Sequence, residues 1–212
     1  MLSPKVSDEH KETRSKSILR AAKQVFSNKG YVSTTMKDVV EETGMSRGSV
    51  YMYFSGTEQM MLALIAEAES ENLDEINELV ETSKSMWELV VSFLKKGETS
   101  ITKISSSFTV AIYEFYLTQW RVTGNAPLLE QRYDKAIATI STFLQLGTDR
   151  GEFQPLAPIE DIARVIVSLM DGMTWDCTVL EPHRIKLGPQ LDLSIKMLRS
   201  ILQPQKSIIP RS

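Results

Sequence analysis

Residues 34–54 read TTMKDVVEETGMSRGSVYMYF, and the predicted architecture follows outward from this stretch. Between Thr34 and Gly44, apolar residues recur at helical spacing among charged ones, which predicts a short amphipathic helix with Thr34 as its N-cap. Gly44 stands where a helix commonly ends in a left-handed residue, and Ser46 can cap a second helix that begins at Arg47. We therefore expect two short helices joined by a tight turn.

Two helices joined by a glycine turn match the helix-turn-helix, whose second helix enters the major groove of DNA. Arg47 can donate two hydrogen bonds to a guanine or contact a phosphate, and Ser49 can reach a base edge or the DNA backbone. Gly48 leaves the start of the helix open to a phosphate, and Tyr51 and Tyr53 can offer hydroxyl groups to phosphates. A glycine-jointed helix pair also occurs in bundles that bind no DNA, so the interpretation depends on this residue chemistry.

The same region resembles the N-terminal signature of the TetR family of bacterial transcriptional regulators, over roughly residues 10–62. Val40 and Thr43 replace alanines that are usual in the family, which we interpret as packing variations. Thr57 stands where the family commonly has a lysine that grips phosphate, so one expected contact is weakened. The matching residues are Gly30, Tyr31, Thr34, Thr35, Val39, Gly44, Ser46, Gly48, Val50, Tyr51, Tyr53 and Phe54.

Residue chemistry and the resemblance together predict a DNA contact surface in this region. Its predicted members are Thr34, Thr35, Met36, Ser46, Arg47, Gly48, Ser49, Tyr51, Met52, Tyr53 and Thr57.

Composition indicates a globular protein of 212 residues, with 42% hydrophobic and 24% charged residues. Neither a membrane span nor the apolar core of a signal peptide is evident, so we expect a cytoplasmic protein without a membrane partner. Cys177 is the only cysteine, and only His10 and His183 accompany it as histidines. These residues spell out neither a disulfide nor a metal site, and no metal or cofactor is predicted. Cys177 is interpreted as a buried structural thiol, with a redox sensor as the alternative.

Charge is divided unevenly along the chain, whose net charge is -3. Residues 1–57 hold 9 basic and 6 acidic side chains, which leaves 15 basic and 21 acidic side chains in residues 58–212. The basic N-terminal part suits a phosphate backbone, although so mild an excess is also found on ordinary solvated faces.

The rest of the chain carries helical patterns separated by turns, with no strand-period run. We predict an all-α fold in which an N-terminal three-helix DNA-binding domain, residues 1–57, precedes a larger helical ligand-binding and dimerisation domain, residues 58–202. The tail, residues 203–212, is expected to be frayed. A linker helix begins near residue 58. Predicted helices span 11–28, 58–79, 85–95, 100–122, 126–150, 159–180 and 189–202, with breaks at Gly97, 123–125, 151–158 and 181–188.

Aromatic residues and a few carboxylates in the central helices suggest a small-molecule site, although most of the aromatics are explained as core. Glu114 has apolar helical neighbours, and a carboxylate in such a setting must be paired, solvated or functional. The resemblance implies an inducer cavity in this part of the chain, and aromatics with carboxylates favour a hydrophobic cation. The candidate ligand contacts are Trp87, Phe108, Tyr113, Glu114, Tyr116, Leu117, Trp120, Phe143, Met170, Asp171 and Trp175.

The last two helices carry more apolar surface than one buried face needs. A twofold dimer through a four-helix interface is the simplest way to cover the excess, and the resemblance implies the same arrangement. The predicted interface residues are Ile166, Met170, Met173, Leu191, Ile195, Met197 and Leu198.

The sequence thus predicts a homodimeric, ligand-responsive regulator without catalysis, most simply a repressor that a small hydrophobic molecule releases from a palindromic operator. A hydrophobic cation is one class of molecule that fits this prediction. One alternative is an all-helical carrier or enzyme whose N-terminal unit binds no DNA, which is disfavoured because no nucleophile with a nearby base and no phosphate-cradling glycine loop is evident. A second alternative is a constitutive DNA-binding factor without a sensor.

Overall fold

The structure, a computed structural model, describes residues 8–83, 85–101 and 108–205. In these ranges the chain is helical and contains no strand, which confirms the predicted all-α class. Among the same residues, no helix is both long enough and apolar enough to cross a membrane. The helices are α1 (Asp8–Lys29), α2 (Met36–Thr43), α3 (Arg47–Tyr51), α4 (Thr57–Thr82), α5 (Met86–Ile101), α6 (Phe108–Thr123), α7 (Pro127–Asp149), α8 (Ile159–Val179) and α9 (Leu187–Leu202).

The start of α2 lies one residue later than the sequence analysis placed it. Thr35, not Thr34, is the N-cap: its hydroxyl accepts a hydrogen bond from the Asp38 N–H, and the Asp38 carboxylate accepts one from the Thr35 N–H. The residue three positions after Thr34 is Lys37, which cannot accept such a bond. Thr34 is instead buried and donates its hydroxyl to the Gly30 carbonyl at 2.6 Å.

The break predicted at Gly97 is wrong, because α5 continues through this residue to Ile101. A Cβ at Gly97 would lie 2.5 Å from the Met170 methyl group of α8. This glycine therefore serves the close approach of two helices and does not end one. Residues 102–107, which lie in the helix predicted from residue 100, are outside the described residues.

The described residues form two compact units that differ from the predicted division at residue 57. The first contains α1, α2, α3, the beginning of α4 to residue 72, and α6; the second contains the rest of α4 with α5 and α7–α9. Within the first unit, α6 packs against α1 and the loop after it. The Phe108 ring lies 6.2 Å from that of Phe26, and the Phe115 ring meets Tyr31 edge-on at 4.9 Å.

The core of the second unit is closed by the segment that follows α7. The Glu152 carboxylate accepts hydrogen bonds from the Ser85 hydroxyl at 2.6 Å and from the Met86 and Trp87 N–H groups, which caps the start of α5. Gln205 donates its N–H to the Glu152 carbonyl at 2.8 Å. The beginning of the tail predicted to fray is thus held to the unit, whereas residues 206–212 lie outside the described residues.

Cys177 packs in the second unit beside Met173, Leu187 and Leu191. Its side chain is buried, and burial raises the pKa of the thiol. A protonated thiol is a weak nucleophile, so this environment agrees with a structural role.

Candidate nucleic-acid interface

Helices α2 and α3 pack through apolar side chains on their inner faces, which leaves the opposite face of α3 exposed. Val39 of α2 and Val50 of α3 are fully buried, and Phe54 follows them into the interior. The inner side of α1 supplies the rest of this apolar core, because Ile18, Ala22, Val25 and Phe26 are all buried.

The turn between the two helices has the predicted chemistry. Gly44 ends α2 with a φ of 64°, in the left-handed region that favours glycine. Ser46 is extended, and its hydroxyl accepts a hydrogen bond from the Ser49 N–H at 3.2 Å, which caps α3. The Gly44 and Ser46 caps predicted for this turn are therefore confirmed.

The outward face of α3 presents a cation and an aromatic ring already in contact. The Arg47 guanidinium lies over the Tyr51 ring, 5.1 Å from its centre, and donates a long hydrogen bond of 3.5 Å to the Tyr51 hydroxyl. Tyr51 is 40% exposed. Stacking limits the conformations of a long side chain that is otherwise free in solvent, so the guanidinium starts from a defined position.

Gly48 and Met52 complete this outward face. Gly48 is exposed, and a Cβ there would have no neighbour within 4 Å. Met52 is 80% exposed. The fold therefore gives no internal reason for a glycine inside a helix, where it costs about 0.5–1 kcal/mol relative to alanine.

Some of the remaining predicted DNA contacts lie on the surface, and others form hydrogen bonds within the first unit. The Ser46 and Ser49 hydroxyls lie 2.8 Å apart and bond to each other. Thr57 hydrogen-bonds to the Tyr31 hydroxyl. Thr34, only 7% exposed, supports the loop before α2. Of the others, Thr35 is exposed, and Met36 and Tyr53 are half-buried.

An ion pair joins α1 to the N-terminal cap of α2. The Lys29 ammonium contacts the Asp38 carboxylate, whose other oxygen accepts the Thr35 N–H at 2.8 Å and the Thr35 hydroxyl at 2.7 Å. The Lys29 ammonium, with the two Thr35 donors, holds the pKa of the Asp38 carboxyl well below its usual range. The cap of α2 is therefore built on a charged carboxylate.

Glu114 of α6, predicted as a ligand contact, lies against the loop between α1 and α2. Its carboxylate accepts a hydrogen bond from the Val32 N–H at 3.2 Å. A Cβ at Gly30 would come within 2.6 Å of the same carboxylate, and Gly30 has a φ of 76°. The sequence showed a carboxylate on an apolar helix face but gave no sign of a partner 82 residues away.

Asp171 of α8, the other carboxylate in the predicted sensor, is paired with Arg132 of α7. The guanidinium Nη1 donates to Oδ2 at 3.1 Å, and Nη2 contacts Oδ1, which gives a two-pronged ion pair. Sequence reasoning missed Arg132, because no local pattern links it to a residue on the next helix. Both carboxylates expected to attract a cationic ligand thus have partners within the protein.

The other predicted ligand contacts are divided between the two units. In the first unit, Phe108 and Tyr116 are buried, Tyr113 is half-buried, and Leu117 and Trp120 are exposed. In the second unit, Phe143 is buried, Trp87 and Met170 are half-buried, and Trp175 is exposed.

Phe143 lines a small apolar cavity of about 20 Å³ in the core of the second unit. The residues around it are Leu89, Val90, Phe93, Leu94, Ile140, Phe143, Leu144 and Ile166. A larger open groove of about 800 Å³ runs along α7 and the start of α8, between Asp134 and Arg164. None of the predicted ligand contacts lines that groove.

The predicted dimer residues lie mostly on the inner side of α8 and α9. Ile166, Met173, Leu191 and Leu198 are buried in the second unit, so they cannot form an outward face. Met170 and Ile195 are half-buried, and Met197 is 46% exposed. The exposed large apolar residues of the two helices are Val165, Trp175, Val179, Leu193 and Met197. Periodicity could not decide between two neighbouring apolar stripes on each helix.

Known proteins share both the sequence pattern and the fold. Residues 18–64 match the family model described as bacterial regulatory proteins, tetR family, and residues 89–188 match the tetracyclin repressor-like C-terminal domain. The uncharacterised helix-turn-helix transcriptional regulator YfiR of Bacillus subtilis (strain 168) is 36% identical over 202 residues, which cover 95% of this chain and 98% of YfiR.

More distant similarities agree with these matches. The transcriptional repressor AcnR of Corynebacterium efficiens is 24% identical over 157 residues, which cover 73% of this chain and 77% of AcnR. The crystal structure of a TetR-family transcriptional regulator from Pectobacterium atrosepticum superposes with a TM-score of 0.69 at 18% identity, over 94% of this chain and 100% of that one.

Proposed function

Since the chain belongs to the TetR family of bacterial transcriptional regulators, we propose that it is a homodimeric repressor that a small hydrophobic molecule releases from a palindromic operator. The chain is a helix-turn-helix regulator and not an enzyme. Its place of action in this proposal is the cytoplasm, where bacterial DNA lies.

The outward face of α3 is the observation that carries the DNA-binding part of the proposal. It combines a stacked cation at Arg47, an exposed ring at Tyr51 and a glycine at Gly48 that no internal contact requires. Because glycine has no side chain, an outside partner can approach the helix backbone closely at that position. A guanidinium can bind guanine or phosphate. Double-stranded DNA satisfies both features.

The dimer in this proposal is supported by the exposed surface of α8 and α9. Gly172 lies on the exposed side of α8 near Trp175, and a Cβ at Gly172 would meet nothing within 4 Å. A glycine inside a long helix is again costly without an internal reason, whereas a second helix crossing there would need the space. Leu193 and Met197 of α9 add exposed apolar surface. Two copies of this surface form a closed twofold interface in the proposal.

Release by an effector is supported by the apolar cavity beside Phe143. Its volume of about 20 Å³ is far below the roughly 300–1,000 Å³ of ordinary ligand sites, so an effector has to displace surrounding side chains. Because Glu114 and Asp171 are engaged within the protein, we propose a neutral hydrophobic effector over a cationic one. A screen for thermal stabilisation by small molecules tests this part, since a constitutive factor would show no ligand that both stabilises it and releases DNA.

The central experiment is DNA-binding selection with the full chain and its Arg47→Ala variant. A pool of random duplexes is expected to yield a palindromic sequence with wild-type protein. Arg47→Ala should weaken binding to that sequence by about 1–3 kcal/mol if the guanidinium reads a guanine. If it contacts only phosphate, affinity falls for all duplexes and the salt dependence becomes shallower.

Arg184→Ala is the matched control, because it removes an exposed arginine in the connection between α8 and α9. This variant should bind as the wild type does. Recovery of no shared sequence from the pool, or equal binding by wild type and Arg47→Ala at every salt concentration, would reject α3 as the reading helix.

A further inference from the structure

Met52 is the most exposed of the large hydrophobic side chains exposed in the described part of the chain, at 80%. Its backbone is helical, with φ -65° and ψ -28°, and its N–H bonds to the Gly48 carbonyl at 3.1 Å. At 3.6 residues per turn, Gly48 and Met52 both lie about 160° around the helix axis from the buried Val50. Met52 therefore points away from the interior, at the middle of the outward face of α3.

The surroundings of Met52 distinguish it from an isolated exposed apolar residue. One turn earlier, Gly48 leaves open space where another side chain would stand. Beside it, Arg47 is stacked on Tyr51, so the cation and the ring occupy each other on one flank. A flexible, strongly exposed thioether thus lies at the centre of this surface, next to a position without a side chain.

From this geometry we infer that Met52 reads the 5-methyl group of a thymine in each operator half-site. The inference rests on the proposed DNA-binding function. In the major groove, the thymine methyl is the apolar group that distinguishes a T·A pair, and apolar side chains recognise it by contact. A methionine side chain is unbranched and polarisable, so it can adapt to the methyl surface without a hydrogen bond. In this arrangement Arg47 supplies charge and hydrogen bonds, and Met52 supplies an apolar surface that contacts the methyl group.

The test replaces thymine by uracil, which removes the methyl group and keeps every hydrogen-bonding group of the base. The probe is the tightest duplex of about 30 base pairs selected from a random pool by the wild-type protein, long enough for two half-sites one helical turn apart. Each thymine is replaced in turn, symmetrically in both half-sites, and the Kd is measured for wild type and Met52→Ala.

With wild-type protein, uracil at one symmetric thymine position should weaken binding about fourfold per half-site, the value of one buried methyl group. Met52→Ala should bind the thymine duplex more weakly and show no further loss at that position. Met52→Leu, which keeps an apolar side chain, should retain a measurable loss there. Val122→Ala, which shortens an exposed apolar side chain on α6, should reproduce the wild-type profile.

The outcomes separate this inference from the proposed function. Failure of the pool to yield any preferred sequence would remove the DNA-reading function itself. A preferred sequence whose uracil profile is the same in wild type and Met52→Ala would overturn the inference alone, as would a uniform loss of affinity of Met52→Ala for every duplex. Melting curves of the variants should match the wild type, since Met52 makes no buried contact that its removal would disturb.

Discussion

At the scale of single residues, Gly30 is under two constraints, whereas Gly44, another left-handed glycine of the first unit, is under one. Both have a positive φ, 76° at Gly30 and 64° at Gly44. A Cβ at Gly30 would also collide with the Glu114 carboxylate, whereas a Cβ at Gly44 has no neighbour within 4 Å. Substitutions at Gly44 therefore measure backbone strain alone, whereas substitutions at Gly30 measure strain together with a side-chain clash.

We expect Gly44→Ala to lower the free energy of unfolding by about 1–2 kcal/mol, the cost of a left-handed conformation for a residue with a Cβ. Gly30→Ala should lower it further, because the carboxylate must move and the Val32 N–H then loses its acceptor. Urea denaturation of both variants measures the difference. In the background of Glu114→Ala the two glycine substitutions should cost nearly the same, and a difference that persists there would show that Glu114 is not its cause.

At the scale of elements, the N-terminal cap of α2 depends on the charge of Asp38. Since the folded-state pKa of this carboxyl is depressed, its contribution to stability is present above the ordinary aspartate pKa of about 3.9 and is lost as the pH falls below that value. The wild-type protein should therefore lose stability on acidification from about pH 5 toward pH 3 in part through this group.

The Asp38→Asn variant should be less stable than the wild type at neutral pH and should lose less stability on acidification. Urea midpoints followed by circular dichroism from pH 6 to pH 3 measure both effects. Asp134→Asn, which alters an exposed aspartate of α7, serves as the control and should keep the wild-type pH dependence. Parallel acid profiles for wild type and Asp38→Asn would contradict the assigned role.

Helix ends were predictable where the deciding bonds are local, and the rest depended on contacts between distant residues. Gly44 and Ser46 act on groups within three residues, so their roles could be read from the sequence. The reciprocal Thr35–Asp38 cap is equally local and could have been found by comparing the residues three positions after each threonine. Gly97 could not be interpreted correctly, because its reason is Met170 on another helix.

In the candidate site too, features set by nearby residues were predictable from the sequence, and features set by distant residues were not. The outward face of α3 follows from helical periodicity around Val50, so its members were predictable. The partners of Glu114 and Asp171 were not, because Val32 and Arg132 lie far away in sequence. Without those partners a carboxylate among apolar neighbours suggests a ligand, whereas the structure supplies a backbone N–H and a guanidinium.

At the scale of the whole molecule, the proposed dimer is tested at Gly172. Replacing it with leucine should place a bulky side chain where a partner helix crosses α8, and the protein should become monomeric in sedimentation at micromolar concentration. The monomer itself should fold, because the added side chain meets no neighbour within its own chain at the Cβ position. Gln24→Leu, which adds an apolar side chain at an exposed position of α1 away from this surface, is the control and should leave the oligomeric state unchanged.

Met197→Glu gives a second test of the same surface, since it places a charge and its symmetry mate on the exposed apolar face of α9. It should also yield monomers and should weaken operator binding far more than it alters thermal stability of each chain. Wild-type protein that sediments as a monomer, or a Gly172→Leu variant that remains dimeric, would refute the interface.

Because α6 packs against α1, the helix-turn-helix region formed by α1–α3 is not expected to fold correctly without α6. A fragment ending at residue 72 would leave behind the Phe108 and Phe115 rings, and with them the partners of Phe26 and Tyr31. It would also lack the carboxylate that holds the Val32 N–H. A chimaera that joins α1–α3 to the C-terminal domain of another regulator must therefore also carry α6, or reproduce the side chains of α6 that contact α1. Substitutions on the contacting faces of α1 and α6 are expected to occur together.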